Sequence, residues 1–494
     1  MTPSEKRYFK RLGLSNQKDA NQYILLFDAI NNQDEYDEAS LLVQFKNHAF
    51  INNFSEIKKY LYQQLQKALR LYHAPKAIDI ILYNHLSDIA ILYQKELYVD
   101  CEHLIRKTKK LATKHEKFNI LLLLNEWKRN VVRISHHSSG IYEYLNDEVP
   151  LDKEYILNVK NESDYFNTGL EMLLIAREKG MVTQNNLKLN TPSLPPLTFR
   201  AKRYLLWKHS QLSALEEDYL QSFNANREEI ELFEQNKHFI DAMPKQYVVA
   251  LSNAMASCEA SNHHHHFKMY LDKLLEILGK YPFNPEFELK EKLLAYIMQT
   301  AIYNQKAQKP EILEANQTLK SSFQLMEKKG YTDTSLALYV YYELLHSAII
   351  IDDFELALEY YNDIQQLDIK DNRAILHLSN RLIGIMLHYH FENWLFLESL
   401  VRSTARIVKL KFSHDTIAEV FIKTIKKCIA IRVSPNTPDE ETIGVLQQLQ
   451  KELQNIPIRM LSERYVLLAW IDSLISGKTI AACVPQIIKQ YRIS

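Results

Sequence analysis

Apolar residues recur along most of this chain every three or four positions, which is the spacing of one face of an α-helix. Residues 55–72 show the pattern clearly, and the following side chains share a face: Ile57, Tyr60, Leu61, Leu65, Ala68, Leu69 and Tyr72. Polar stretches rich in Asn, Asp or Pro interrupt the periodic segments, for example at 31–34, 281–285 and 434–438. The pattern predicts a succession of α-helices joined by short turns.

Composition narrows the fold class further. The 494 residues include only 9 Gly and 14 Pro, too few for the closely spaced turns of an all-β protein. A doubly wound nucleotide-binding fold also needs a Gly-rich phosphate loop, which the chain lacks. We therefore expect an all-α protein with several structural units, since a domain averages roughly 100 to 200 residues.

The helical pattern divides into three segments. Residues 1–74 have the pattern of short helices followed by one long helix. Helix pairs occupy residues 75–190, and we expect a helix from Ser163 to Lys179 within them. Residues 182–199 contain three prolines and predict a linker between this block and a second one, residues 191–494, in which helix pairs resume from Arg200. We expect an N-terminal helical segment followed by two helical-repeat blocks.

One window resembles a tetratricopeptide repeat. It has Tyr341, Leu344 and Leu345 on a first helix, Phe354 and Ala357 at the turn and start of a second, and Tyr361 further on. A small residue where two helices cross lets them approach closely. The resemblance implies an irregular right-handed superhelix of stacked antiparallel helix pairs, a tetratricopeptide-like α-solenoid with an N-terminal helical cap.

The start of the chain, residues 4–9, has the sequence SEKRYF. In this charged and aromatic start, and in the irregular repeats that follow, the chain is similar to a group of bacterial helical-repeat proteins with no assigned activity. This second resemblance implies an architecture and no particular function.

Charge and cysteine content bear on the cellular environment. The chain has 60 Lys and Arg residues and 60 Asp and Glu residues, so its formal net charge is zero. The overall charge therefore does not attract the chain to nucleic acid or to an anionic membrane. The four cysteines stand far apart, as in a protein of a reducing compartment. No apolar run reaches the about 20 residues of a membrane span, and the charged N-terminus lacks the features of a signal peptide. We expect a cytoplasmic protein.

Few sequence motifs in this chain indicate a nucleotide-binding or metal-binding site. Residues 476–479, SGKT, match the end of a phosphate-binding loop, but Asp472 stands where its first glycine belongs. The run His263 to His266 could bind a transition metal, yet no second ligand pattern accompanies it. We expect no enzyme, no cofactor and no metal site, and we read the histidine run as an exposed turn between helices.

The strongest local charge feature is basic. Arg106, Lys107, Lys109 and Lys110 occupy five successive positions with Thr108, and Lys114 and Lys117 follow. On a helix these side chains form a positive flank that suits an acidic partner or a phosphate backbone. Solvated lysines opposite an apolar stripe are the other explanation.

The N-terminal segment permits a nucleic-acid hypothesis. A short helix near 38–45, a turn near 48–53 and the helix at 55–72 are arranged in sequence like a helix-turn-helix. The candidate contacts on the long helix are Lys58, Lys59, Gln63 and Lys67. Acidic residues nearly cancel the basic charge of this segment, so a cap that closes the end of the solenoid is the alternative.

Stacked helix pairs form a concave surface that suits a peptide, a helix or another domain. Our first hypothesis is a protein-protein interaction scaffold that binds a protein or peptide partner on this concave face. The alternative is a transcriptional regulator in which an N-terminal helix-turn-helix binds DNA and the repeats act as a sensor. Nothing in the sequence assigns a catalytic residue.

Overall fold

The computed structural model describes residues 1–14, 20–33, 35–73, 77–135, 138–178, 192–216, 218–367, 374–412, 416–433, 439–453 and 464–492. All regular structure in these ranges is helical, and no strand occurs among them, which confirms the predicted all-α class. Most of the predicted linker at 182–199 and the predicted break at 434–438 lie outside the described residues. The superhelix handedness and the tetratricopeptide-like arrangement stay predictions, as does the division into residues 1–74, 75–190 and 191–494.

The chain forms two compact units. The first comprises Met1–Asn167, Thr191–Lys202 and Asn236–Met243, and the second comprises Thr168–Asn190, Arg203–Gln235 and Pro244–Ser494.

The helices up to residue 178 include a 3₁₀ turn at Ala49–Asn53 and a π-helical turn at Tyr144–Glu148. Their bounds are α1 Pro3–Leu14, α2 Ala20–Asn31, α3 Glu38–Gln44, α4 Phe54–His73, α5 Ile78–Gln94, α6 Tyr98–Lys114, α7 Phe118–Ser135, α8 Ser138–Glu143 and α9 Val149–Glu178.

The remaining helices follow residue 198. Their bounds are α10 Phe199–Leu215, α11 Tyr219–Gln235, α12 Lys237–Ala242, α13 Pro244–Ala260, α14 His264–Lys280, α15 Pro285–Lys306, α16 Lys309–Lys328, α17 Thr334–Ile350, α18 Phe354–Gln366, α19 Ala374–His390, α20 Trp394–Lys411, α21 Thr416–Val433, α22 Asp439–Leu453, α23 Tyr465–Ser476 and α24 Ile480–Arg492.

A repeated turn joins many of the helix pairs. The residue after the helix cap has a positive φ, and the next N–H bonds back to a carbonyl five residues earlier, which is a Schellman motif. In the turn from α5 to α6, Glu96 has φ 62° and the N–H of Leu97 donates to the Leu92 carbonyl at 3.0 Å. Non-glycine residues take the same left-handed position after α6, α13, α15, α17 and α19: Glu116, Asn262, Ala307, Asp352 and Glu392. Six such turns without glycine explain how a glycine-poor chain forms tight helix pairs.

Helix α9 corrects the sequence reading, which began this helix at Ser163. The helix begins at Val149, directly after the π-helical turn, and Pro150 is its second residue. Its buried face includes Asn158 and Asn161, and these polar residues interrupt the apolar periodicity. Asn161 is held by polar partners: it accepts from the N–H of Leu197 at 2.9 Å and donates to the Pro195 carbonyl at 3.0 Å.

The core of the second unit centres on α17 and α23. Beyond the first residue of α17, Tyr339 is the one exposed side chain of this helix, and every residue from Tyr465 to Ile471 of α23 is buried. Helix α23 contacts α17 and α19, and α24 contacts α15 and α17. The last helix pair therefore covers part of the helices that precede it.

Polar pairs join neighbouring helices within this unit. Ser252 of α13 donates to Glu291 of α15 at 2.5 Å, and Asn304 of α15 donates to the Glu343 carbonyl of α17 at 3.2 Å. Ser347 of α17 donates to the amide oxygen of Asn304 at 2.8 Å. Because these groups are buried, their hydrogen bonds fix how the helices are aligned along one another.

Among the described residues, no single helix combines the length and the apolar composition of a membrane span. Helix α23 and residues 480–490 meet these criteria only together, as a pair bent by 119°.

Candidate functional site in the first unit

A pocket of about 250 Å³ lies beside the α6–α7 helix pair. Its wall combines charged side chains with a few apolar ones: Glu102, Ile105, Arg106, Lys109, Lys128, Val132, Gly140, Glu143 and Glu148. Helices α6 and α7 pack against each other across a short turn, and α8 with the π-helical turn adds the remaining residues. All of these elements belong to the first unit.

Glu148 is the buried charge of this pocket and the last residue of the π-helical turn. Lys128 donates to one of its carboxylate oxygens at 2.8 Å, and Lys109 donates to the other. Burial raises the pKa of the Glu148 carboxyl, but the hydrogen bonds from the two lysines outweigh burial, and the pKa lies below its usual value. The carboxylate is therefore ionised at neutral pH and ties three elements together.

The π-helical turn is a local departure from α geometry, and such turns frequently occur at functional sites. Its first residue, Tyr144, is buried, and the Tyr144 hydroxyl has no hydrogen-bond partner. Burial raises the pKa of this hydroxyl. The turn thus directs Glu148 to the two lysines and leaves the hydroxyl of Tyr144 unsatisfied.

Exposed cations occur on both helices that line the pocket. They lie on α6 and α7, and within the described part of the chain none of them forms an ion pair: Arg106, Lys107, Lys110, Lys114, Arg129 and Arg133. Arg106 lines the pocket, while Arg129 and Arg133 each follow a pocket residue, Lys128 and Val132. We call these six residues the basic face.

Exposed apolar side chains lie on α8 and the π-helical turn, next in sequence to residues of the pocket. Ile141, Tyr142 and Leu145 are 43%, 68% and 55% exposed, and they alternate with pocket residues Gly140 and Glu143 along the chain. Apolar groups that remain exposed together mark surfaces that bind other molecules more often than isolated ones do. The surface therefore offers both charge and apolar contact.

Only some residues of the basic run at 106–117 remain exposed in the structure. Lys109 is used inside the protein, Lys117 pairs with Asp79 of α5, and Thr108 is buried. Arg106, Lys107, Lys110 and Lys114 remain exposed.

The four residues that we proposed as nucleic-acid contacts lie on α4. One of them, Lys58, has a different environment from the other three. Lys59, Gln63 and Lys67 are exposed along one face. Lys58 instead pairs with Glu38 of α3 at 2.6 Å and lies 5.1 Å from the centre of the Phe54 ring. The hydrogen bond with Glu38 raises the pKa of the Lys58 ammonium. Lys58 therefore acts within the N-terminal segment, and Arg70 is a further exposed cation on the face of the other three.

The other sequence motifs lie at helix starts and turns. The histidine run is not the exposed turn that we expected: His263 is the N-cap residue of α14, the next three histidines form its first turn, and the His263 ring stacks on Phe223 with ring centres 4.3 Å apart. Gly477 ends α23 with φ 68°, which makes residues 476–479 a helix-to-helix turn. Among the described residues, no group of three His, Cys, Asp or Glu side chains could hold a metal ion. All four cysteines are buried.

Sequence reasoning found Arg106 and Lys109 but not Lys128 or Glu148. Lys109 and Lys128 lie on different helices, and their common partner Glu148 follows only from the fold. No protein-family model, curated protein or solved structure matches this chain.

Proposed function

We propose that this chain is a protein-interaction scaffold of stacked, tetratricopeptide-like helix pairs, and that it binds an acidic, amphipathic segment of a protein partner. The observation that carries the proposal is the set of exposed cations on α6 and α7, together with the exposed apolar side chains of α8 and the π-helical turn that share the pocket wall's elements. Opposite charge steers such a segment to the surface, and apolar contact then contributes affinity.

The basic face is a better candidate for this partner than the helices of the second unit. Helix α17 is buried almost all round, and α23 and α24 cover parts of α15, α17 and α19. A partner that bound these helices would compete with α23 and α24 for the faces that this C-terminal helix pair already contacts.

A protein partner explains the surface more fully than nucleic acid does. Phosphate groups would use the cations, but Ile141 and Leu145 offer nothing to a sugar-phosphate backbone. An amphipathic helix with Glu or Asp on one face and Leu or Ile on another would use both kinds of side chain.

Nucleic-acid binding by the N-terminal segment is the second candidate, as part of a transcriptional regulator. It rests on the exposed face of α4, which contains Lys59, Gln63, Lys67 and Arg70. Among the described residues, the three cations of this face form no ion pair. Such a face suits phosphate contacts and a base contact by Gln63.

Fluorescence anisotropy separates the two candidates. The probes are a labelled amphipathic peptide rich in Glu and Leu and a labelled DNA duplex, each titrated with the full chain at near-physiological salt. We expect the peptide to bind, and the double variant Lys110→Glu, Arg133→Glu to abolish binding, while Lys59→Glu, Lys67→Glu leaves it unchanged. Binding of the duplex alone, lost only in the α4 variant, would favour the regulator.

A further inference from the structure

The pocket beside α6 and α7 has the size of a site for a small molecule. Its volume, about 250 Å³, is just below the roughly 300 to 1,000 Å³ of pockets for drug-sized ligands. A pocket of this volume therefore fits only a compact ligand.

The charges of the pocket are balanced but not all paired. Arg106, Lys109 and Lys128 supply three positive charges, and Glu102, Glu143 and Glu148 supply three negative ones. Glu148 is already bound by the two lysines. Within the described residues, Arg106, Glu102 and Glu143 form no ion pair, although Glu102 and Arg106 are one helical turn apart on α6.

This arrangement discriminates between ligand charges. A ligand with only a negative charge would make the net charge of the pocket negative. A ligand with only a positive charge would make it positive. A ligand that carries one positive and one negative group keeps the total at zero and gives each unpaired group an opposite charge. Ion pairs in a partly enclosed pocket are screened less by salt than pairs on an open surface.

We infer that this pocket binds a free α-amino acid. The Arg106 guanidinium binds the α-carboxylate, since its planar donors match a carboxylate in two parallel hydrogen bonds. Glu102 and Glu143 receive the ammonium group. Ile105 and Val132 provide apolar contact for the side chain of the ligand. The inference does not rest on the proposed function, because the ligand needs only the isolated chain, although Arg106 belongs to both the pocket and the basic face.

Isothermal titration calorimetry of the full chain tests the inference. Each of the twenty L-amino acids is titrated up to about 10 mM, a range that detects even weak affinity. Propionate and ethylamine serve as separate probes for the two charged halves. The variant Arg106→Gln removes the carboxylate contact, and Lys107→Gln is the matched control, since Lys107 is an exposed neighbour that does not line the pocket. Circular dichroism checks that both variants are folded.

We expect at least one amino acid to bind the wild-type chain, neither half-probe to bind, at least tenfold weaker binding to Arg106→Gln, and unchanged binding to Lys107→Gln. Absence of binding by all twenty amino acids overturns the inference. Equal affinity of the wild type and Arg106→Gln also overturns it, because the ligand would then lie elsewhere. Binding of propionate as tight as that of any amino acid would identify an anion site instead.

Discussion

The ammonium nitrogen of Lys128 in α7 lies 2.8 Å from a carboxylate oxygen of Glu148, and Lys109 in α6 binds the other oxygen of the same carboxylate. Glu148 is 7% exposed, so its charge depends on these two lysines. One residue thereby joins α6, α7 and the π-helical turn.

We predict that Glu148→Gln destabilises this part of the first unit by about 2 kcal/mol, because two partly buried lysines lose their common counter-charge. Hydrogen exchange of the amides in α7 and the π-helical turn measures the local change. Glu126→Gln, an exposed change on α7, is the control and should alter the exchange rates little. Equal rates in wild type and Glu148→Gln would show that the two ion pairs contribute nothing.

Acid should weaken the first unit through His115. Burial, followed by the charges of His238 and nearby cations, lowers the pKa of His115 to about 4. Its ring nitrogen Nδ1 is buried without a hydrogen-bond partner. A histidine takes up its proton near pH 6.5 in an unfolded chain, so the unfolded state binds more protons than the folded state between about pH 6.5 and 4.

Stability should therefore fall as the pH decreases through this window. Thermal unfolding at pH 7 and pH 5 measures the loss, which should be smaller in His115→Gln than in the wild type. The exposed His103 provides the matched control variant, His103→Gln, which should keep the wild-type loss. A wild-type loss that persists in full in His115→Gln would assign it to other groups.

Gly384 of α19 faces Tyr361 of α18 so closely that a Cβ atom would lie 2.5 to 2.6 Å from the tyrosine ring and hydroxyl. Because Tyr361 is buried and cannot withdraw freely, Gly384→Ala should destabilise the second unit by about 1–3 kcal/mol. Gly444 of α22 also lies in a helix but has open space around it, and Gly444→Ala should stabilise by about 0.5–1 kcal/mol.

Urea unfolding of both alanine variants measures these opposite effects. The cause is tested by a double-mutant cycle with Tyr361→Ala, in which the penalty of Gly384→Ala should largely disappear. A penalty of the same size in both backgrounds would mean that Tyr361 is not the source of the strain.

Much of the helical fold was predictable because buried apolar side chains repeat every three or four residues. The pattern failed where buried positions are polar, as at Asn158 and Asn161, and the start of α9 was missed there. The sequence pattern also did not predict the repeated Schellman turn. Glycine usually marks its left-handed position, and this chain uses Glu96, Glu116 and Asp352 among others.

The candidate site was predictable only in part. A run of basic residues on one helix is visible in the sequence, so Arg106 and Lys109 were found. The partner of Lys109 is 39 residues away in a π-helical turn, and no sequence pattern announces such a turn. Lys58 was selected on the same basis as Lys59, yet its pairing with Glu38 is a tertiary contact that periodicity does not reveal.

Affinity capture with nuclease treatment tests the central claim most directly. The baits are the wild-type chain, the basic-face variant Lys110→Glu, Arg133→Glu, and the α4 variant Lys59→Glu, Lys67→Glu, each incubated with a lysate of the source cells at near-physiological salt. Mass spectrometry identifies the retained proteins, and the nucleic acid recovered without nuclease is sequenced. The account predicts one reproducible set of proteins that the wild type and the α4 variant retain and the basic-face variant loses. Equal retention by all three baits, or recovery of nucleic acid that only the α4 variant loses, would contradict it.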